Sequence, residues 1–177
     1  PIITVGEIRE PEFAETRLRE GKADFIALGR QLLADPYWPQ KAREGRTEDI
    51  RKCISCGYCR ISLSENTPVR CAVNPVGSRE RELAEIVPAS VKKRVMVVGS
   101  GPAGMEAARV LALRRHRVTL MEKENELGGL LRYATVPDFK AELRGFLEYL
   151  KTQVAKLGVE ILVNHRATPE FIKGLEP

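Results

Sequence analysis

Apolar residues run along this chain in two rhythms separated by a stretch with none. Ile2-Ile3-Thr4-Val5 and Phe25-Ile26-Ala27-Leu28 are short, nearly continuous apolar runs, stopped by Gly6 and Gly29. Such runs suit parallel strands covered on both faces. Between them, Glu10 to Glu20 is charged, helix-favouring and closed by Gly21; after the second run, Gln31 to Asp35 leads to a stop at Pro36. The pattern predicts strand, helix, strand, helix. From about Asp49 to Ala89 no period is sustained, which predicts an irregular segment organised by a ligand. Arg94 to Val98 then reads as a strand, followed by a helix through about Leu113 and a strand over Val118 to Met121. A helix from about Phe139 to Lys156, stopped by Gly158, and a strand over Val159 to Val163 complete the pattern.

With 43% apolar residues in 177, the chain has material for one or two cores. No run approaches the roughly 18 apolar residues of a membrane span, and the N-terminus lacks a signal-peptide pattern. A cytoplasmic protein is expected, with no membrane partner. The net charge of +5 lies in groups such as Lys92-Lys93-Arg94 and Arg114-Arg115-His116-Arg117, without interleaved aromatics, so nucleic acid is not an expected partner. Two histidines, His116 and His165, leave little material for a histidine-based triad.

The chemistry begins at VMVVGSGPAGMEAARVLA. Here the pattern GxGxxG stands between a predicted strand and a predicted helix, the context in which it marks a dinucleotide site. Gly99 permits the tight turn, Gly101 lets a pyrophosphate approach the backbone, and Gly104 allows close packing of helix on strand. The helix start at Pro102 and Ala103 supplies the positive end of the dipole and, from Ala103 on, free amides. Glu122 follows the next strand, 18 residues beyond Gly104, near the offset of roughly 20 at which a carboxylate meets the ribose hydroxyls. Ser100 does not stand in a nucleophile-elbow pattern and carries no covalent role.

All four cysteines lie in the aperiodic stretch. Cys53, Cys56 and Cys59 form CxxCxxC, and Cys71 follows twelve residues later. A thiolate every third residue lets a looping backbone take three corners of one [4Fe–4S] cubane while a remote cysteine takes the fourth. Structural zinc usually pairs two separated CxxC knuckles, and a second knuckle is lacking here. Zinc and a CxxC redox pair serving a flavin stay open beside the cluster. Arg51, Lys52, Arg60 and Arg70 stand near the thiols, where charge tunes a cluster's potential.

Gly99 to Gly104, then Glu122-Lys123 and the Leu127-Gly128-Gly129 turn, resemble the FAD-binding half of two-dinucleotide flavoprotein reductases. The resemblance implies FAD for this half and places Lys123 and Gly129 at the cofactor. The segments ITVGEIREPEFAE and ADFIALGRQLLADPYWPQKAREG resemble the last strands of the TIM barrel in old yellow enzyme-like NADH:flavin oxidoreductases. Barrel, cysteine segment and GxGPAG domain in this order resemble the subgroup containing 2,4-dienoyl-CoA reductases and trimethylamine dehydrogenases. That subgroup's motif has three residues between its second and third cysteines; here Gly57-Tyr58 supplies two. The resemblance also implies FMN, with its phosphate at Gly6, Gly29 and Arg30.

The expected fold is therefore α/β in three parts. Residues 1–48 are the C-terminal part of an FMN-binding TIM barrel, residues 49–90 the iron–sulfur segment and linker, and residues 91–177 the N-terminal part of a Rossmann-like FAD/NAD(P)-binding domain. The resemblance implies an oxidoreductase in which NAD(P)H reduces FAD, electrons cross a [4Fe–4S] cluster to FMN, and FMN reduces an activated C=C bond. The chain is expected to be an electron-transfer portion that is not competent alone. Its substrate would be a small molecule held by barrel residues outside it, and a second copy is the expected macromolecular partner. Alternatives are an amine dehydrogenase of the trimethylamine dehydrogenase type with ADP in place of FAD, a glutamate synthase small-subunit-like electron carrier, and a zinc-stapled nucleotide-binding module.

Overall fold

In the first unit of the protein, seen here in a computed structural model that describes residues 1–83 and 85–174, two parallel strands meet across one helix. Strands β1 (Ile3–Val5) and β2 (Phe25–Ala27) pair in register, Ile3 with Phe25 and Val5 with Ala27, and α1 (Pro11–Arg19) is the crossover between them. Proline at the first helical position starts α1, and Arg17 and Arg19 in its last turn complement its dipole. The outward residues Ile3, Val5 and Phe25 are exposed, while a small core forms from Ile8, Ala14, Trp38 and Ile50. Trp38 enters this core by donating its indole N–H to the Arg9 carbonyl at 2.8 Å, which satisfies the one polar atom it buries.

After β2 the chain forms α2 (Arg30–Ala34) and α3 (Trp38–Arg43). The sequence pattern predicts the first of these as the helix after the second strand, stopped at Pro36, and does not show the second, which depends on docking Trp38. The cysteine segment is also more ordered than its lack of period suggests, with α4 (Tyr58–Ser64) and α5 (Glu80–Leu83). Both are too short to carry an amphipathic signal. Contacts divide the chain between residues 84 and 85, so the cysteine segment belongs with the β1–β2 unit.

The second unit is a three-stranded parallel sheet of β3 (Arg94–Val98), β4 (Arg117–Met121) and β5 (Glu160–Leu162), in the order β3-β4-β5. That is one half of a doubly wound sheet. Helix α6 (Pro102–Leu113) connects β3 to β4; α7 (Leu131–Ala134) and α8 (Ala141–Lys156) precede β5, and α9 (Pro169–Gly174) follows it. Leu147, Leu150 and Val154 recur on one face of α8 and are buried with Met105 and Ala108 of α6 and Val118 and Leu120 of β4. Among the described residues, no helix is long and apolar enough to cross a membrane.

Candidate functional site

The first site is a cavity of about 610 Å³ at the C-terminal ends of β3 and β4. Gly99, Ser100, Gly101, Glu122, Lys123 and Gly129 line it, whereas Pro102, Ala103 and Gly104 do not. At Gly104 a Cβ would lie 1.9 Å from the Gly99 carbonyl oxygen, so helix and strand could not close on each other. Gly101 caps α6 in an extended conformation, and the first amide to bond back to it is that of Met105, at 3.0 Å. Gly129, at φ +51°, rests on the Gly101 backbone, where a Cβ would be 3.1 Å from its Cα. The LGG turn thus packs directly on the fingerprint loop.

Ser100 joins these parts. Its hydroxyl donates to Glu122 Oε2 at 2.6 Å, and its amide donates to the same oxygen at 3.0 Å. Its hydroxyl also accepts from the Gly128 amide at 3.1 Å. Both Ser100 and Glu122 are buried. Burial alone would raise the Glu122 pKa, but hydrogen bonds from Ser100 and from the amides of Glu124 and Lys123 outweigh it and hold the carboxyl below the ordinary range. Glu122 is therefore a charged staple of the loop as well as a carboxylate at the cavity wall. Arg132, Tyr133, His165 and Arg166 also line the cavity. Sequence reasoning missed them because they lie outside the motif and reach it only through the fold.

The second site is a cavity of about 280 Å³ at the C-terminal ends of β1 and β2. Gly6, Gly29 and Arg30 line it together with Glu7, Arg9, Gln31, Cys53 and Ser55. Built Cβ atoms at Gly6 and Gly29 meet nothing within 4 Å, so an anion has open access to the backbone there. Arg30 Nη2 lies 3.5 Å from Glu7 Oε1, and Arg9 Nη2 donates to Ser55 Oγ at 2.6 Å.

All four cysteines are free thiols and line one pocket with Arg30, Leu33 and Val73. Cys53 lines this pocket and the β1–β2 cavity alike. Gly57 adopts a left-handed conformation, φ +76°, and opens α4, so Cys59 stands on the first turn of a helix. Burial pushes the Cys71 thiol up; amides of Val73 and Asn74 directed at it oppose this, and Cys53 and Cys56 add to it. Such amides favour thiolate and suit a cluster ligand. Among the described residues, no three His, Cys, Asp or Glu side chains gather as they would around one ion. The four thiols that line this pocket are a donor set of the kind an iron–sulfur cluster takes.

A buried polar scaffold sets the cysteine loop. Gln31 accepts from the Cys53 amide at 3.0 Å and donates to the Arg51 carbonyl at 3.0 Å. Asp35 accepts from the Arg51 amide at 2.8 Å and from Lys41 Nζ at 2.6 Å. Asn74 accepts from Arg51 and donates to the Leu33 carbonyl, tying the Cys71 side of the loop to α2. Sequence reasoning missed Gln31, Asp35 and Asn74. A signal was present for two of them: Gln31 and Asp35 stand four residues apart, on one helical face, within an otherwise apolar stretch.

The chain matches two family models, the NADH:flavin oxidoreductase / NADH oxidase family over residues 1–49 and the NAD(P)-binding Rossmann-like domain over residues 97–157. It is 50% identical to an NADH oxidase of Thermoanaerobacter brockii over 100% of this chain and 28% of the relative. Against a cinnamate reductase of Clostridium sporogenes the identity is 45%, over 98% of this chain and 26% of the relative. A solved 2-naphthoyl-CoA reductase in complex with 2-naphthoyl-CoA superimposes with a TM-score of 0.94 at 38% identity, covering 98% of this chain and 27% of that one. The chain spans about a quarter of the length of these relatives. Its first unit therefore resembles the NADH:flavin oxidoreductase / NADH oxidase family over residues 1–49, and its second the NAD(P)-binding Rossmann-like domain over residues 97–157.

Proposed function

We propose that this chain is the electron-transfer portion of an NAD(P)H-dependent flavin oxidoreductase that reduces activated C=C bonds of the enoate or 2,4-dienoyl-CoA type. When bound, the groups would supply a route from NAD(P)H through FAD and a [4Fe–4S] cluster to FMN and substrate, the cluster converting two-electron into one-electron traffic. The observation that carries the reading is Cys53, a thiol shared by the walls of the cysteine pocket and the β1–β2 cavity. The names of the relatives, a cinnamate reductase and a 2-naphthoyl-CoA reductase, support an unsaturated carboxylate or thioester as substrate class.

Each part of the chain has a role in that reading. Cys53, Cys56, Cys59 and Cys71 hold the cluster, and Gln31 fixes the backbone at Cys53. Gly6, Gly29 and Arg30 bind the FMN phosphate through amides and a guanidinium. Gly99, Gly101 and Gly129 admit the adenine dinucleotide, and Glu122, held ionised by Ser100, faces the ribose hydroxyls and repels a 2′-phosphate. The full enzyme acts in the cytoplasm on a small molecule, as a homo-oligomer.

Anaerobic purification of the full enzyme, with assay of iron, labile sulfide and flavins, tests this reading. Four irons and four sulfides with one FMN and one FAD are expected, together with NAD(P)H-dependent reduction of cinnamate-type acids or enoyl thioesters. Zinc without labile sulfide overturns the cluster; ADP in place of FAD moves the protein to the amine dehydrogenases.

A further inference from the structure

One carboxylate oxygen at the rim of the β1–β2 cavity serves three donors. Glu7 Oε1 accepts from Ser55 Oγ at 3.2 Å and lies 3.5 Å from Arg30 Nη2 and 3.6 Å from Arg9 Nη2. Arg9 also donates to Ser55 Oγ at 2.6 Å, closing a ring of three side chains around that hydroxyl. Ser55 stands between Cys53 and Cys56, so the ring grips the cysteine loop at its middle. Two of its members, Glu7 at φ +49° and Ser55 at φ +50°, hold left-handed backbones without being glycine. Such conformations persist only where surrounding contacts impose them, and they cluster at switches and ligand clamps.

We propose that Glu7, Arg9 and Ser55 couple anion binding at Arg30 to the stability of the cysteine loop. This inference rests on the flavin and cluster reading above. Without an anion, Arg30 shares the Glu7 oxygen with Ser55. A phosphate monoester carries more charge than the carboxylate and presents several oxygens to the guanidinium fork, so it draws Arg30 away. Glu7 Oε1 is then left to Ser55 and Arg9, and the loop that carries Cys53 and Cys56 is held more tightly. Glu7 and Ser55 are positioning residues in this device. By linkage, an intact cluster must strengthen binding of the phosphate-bearing flavin by the same factor with which that flavin protects the cluster.

The test uses the full enzyme carrying its cluster, loaded to saturation with either FMN or riboflavin, which has the same ring system and lacks the phosphate. Flavin content is measured by fluorescence, and release of iron to a ferrous chelator is followed under anaerobic conditions. FMN is expected to slow iron release by about fivefold or more relative to riboflavin, the lower range of ordinary coupling between sites. Ser55→Ala and Glu7→Ala should each release iron quickly with either flavin, with an altered electron paramagnetic resonance signal of the reduced cluster. Equal release with FMN and riboflavin in the unmodified enzyme overturns the coupling, as does a preserved ratio in Ser55→Ala. An enzyme that holds FMN and a cluster yet shows no ratio defeats this inference alone, whereas absence of iron and labile sulfide defeats the parent reading.

Discussion

The Ser100 hydroxyl sits 2.6 Å from Glu122 Oε2, and both residues are buried. Through this contact the fingerprint loop, the end of β4 and the amide of Gly128 share one hydrogen-bonded centre. Ser100→Ala takes a donor from the buried Glu122 carboxylate, while the Gly128 amide keeps the Ser100 carbonyl at 3.0 Å. A loss of about 1–3 kcal/mol in stability is expected, with weaker retention of the adenine dinucleotide, read from denaturant midpoints and cofactor titration.

The same contact has a pH dependence of definite sign. The Glu122 pKa is lowered in the folded protein, so its contribution to stability is complete above the ordinary value of 4.5 and is lost as pH falls through the lowered folded value. Glu122→Gln should be less stable than the unmodified protein at neutral pH, and the difference should shrink on acidification below 4.5. Denaturant midpoints compared across pH 7 to about 3 check this; a constant difference would refute the ionised staple.

Two glycines of one motif should fail in different ways. In Gly104→Ala the new Cβ meets the Gly99 carbonyl oxygen at 1.9 Å, a backbone atom that cannot rotate aside. Destabilisation of about 3 kcal/mol or more is expected. Gly101→Ala meets nothing within 4 Å and lines the cavity. It should leave the melting temperature nearly unchanged and weaken dinucleotide binding. A common loss of stability in both would refute this division.

Gln31 supports the cysteine loop by two buried hydrogen bonds. Gln31→Leu keeps the volume but leaves the Cys53 amide and the Arg51 carbonyl without it. A loss of about 2 kcal/mol or more is expected, with faster bleaching in air of the chromophore that the proposed cluster would give.

Asp35 and Lys41 form an ion pair at 2.6 Å with side chains 3% and 16% exposed. Removing one member strands the other away from water. Asp35→Ala also strips an acceptor from the Arg51 amide, and a loss of about 3–5 kcal/mol is expected. Lys41→Met should cost less, because the remaining carboxylate keeps the amides of Tyr37 and Arg51. Urea titration of both variants tests the order.

Strand β3 was legible to the residue: Val95 to Val98 is an apolar run between Arg94 and Gly99, and the strand is paired along its whole length. The fingerprint glycines were equally legible, since their meaning lies in the absence of a side chain between a strand and a helix. Helix α4 was not. Its seven residues hold no amphipathic repeat, and it starts on a left-handed Gly57 whose conformation no periodicity reveals. Glu122 was half legible: the offset located it at the cavity, but its partner Ser100 looked like an inert member of the motif.

By itself the sequence located the glycine loop and the grouped thiols, because glycine spacing and thiol spacing act through local covalent geometry. Only the tertiary structure decided which polar side chains do the positioning. Gln31 meets Cys53 across 22 residues, Asp35 meets Arg51 across 16, and Arg9 and Glu7 meet Ser55 across 46 and 48. On a linear chain each of these reads as a solvated polar residue. For Gln31 and Asp35, burial removes water, and a hydrogen-bond partner brought from far along the chain then becomes obligatory.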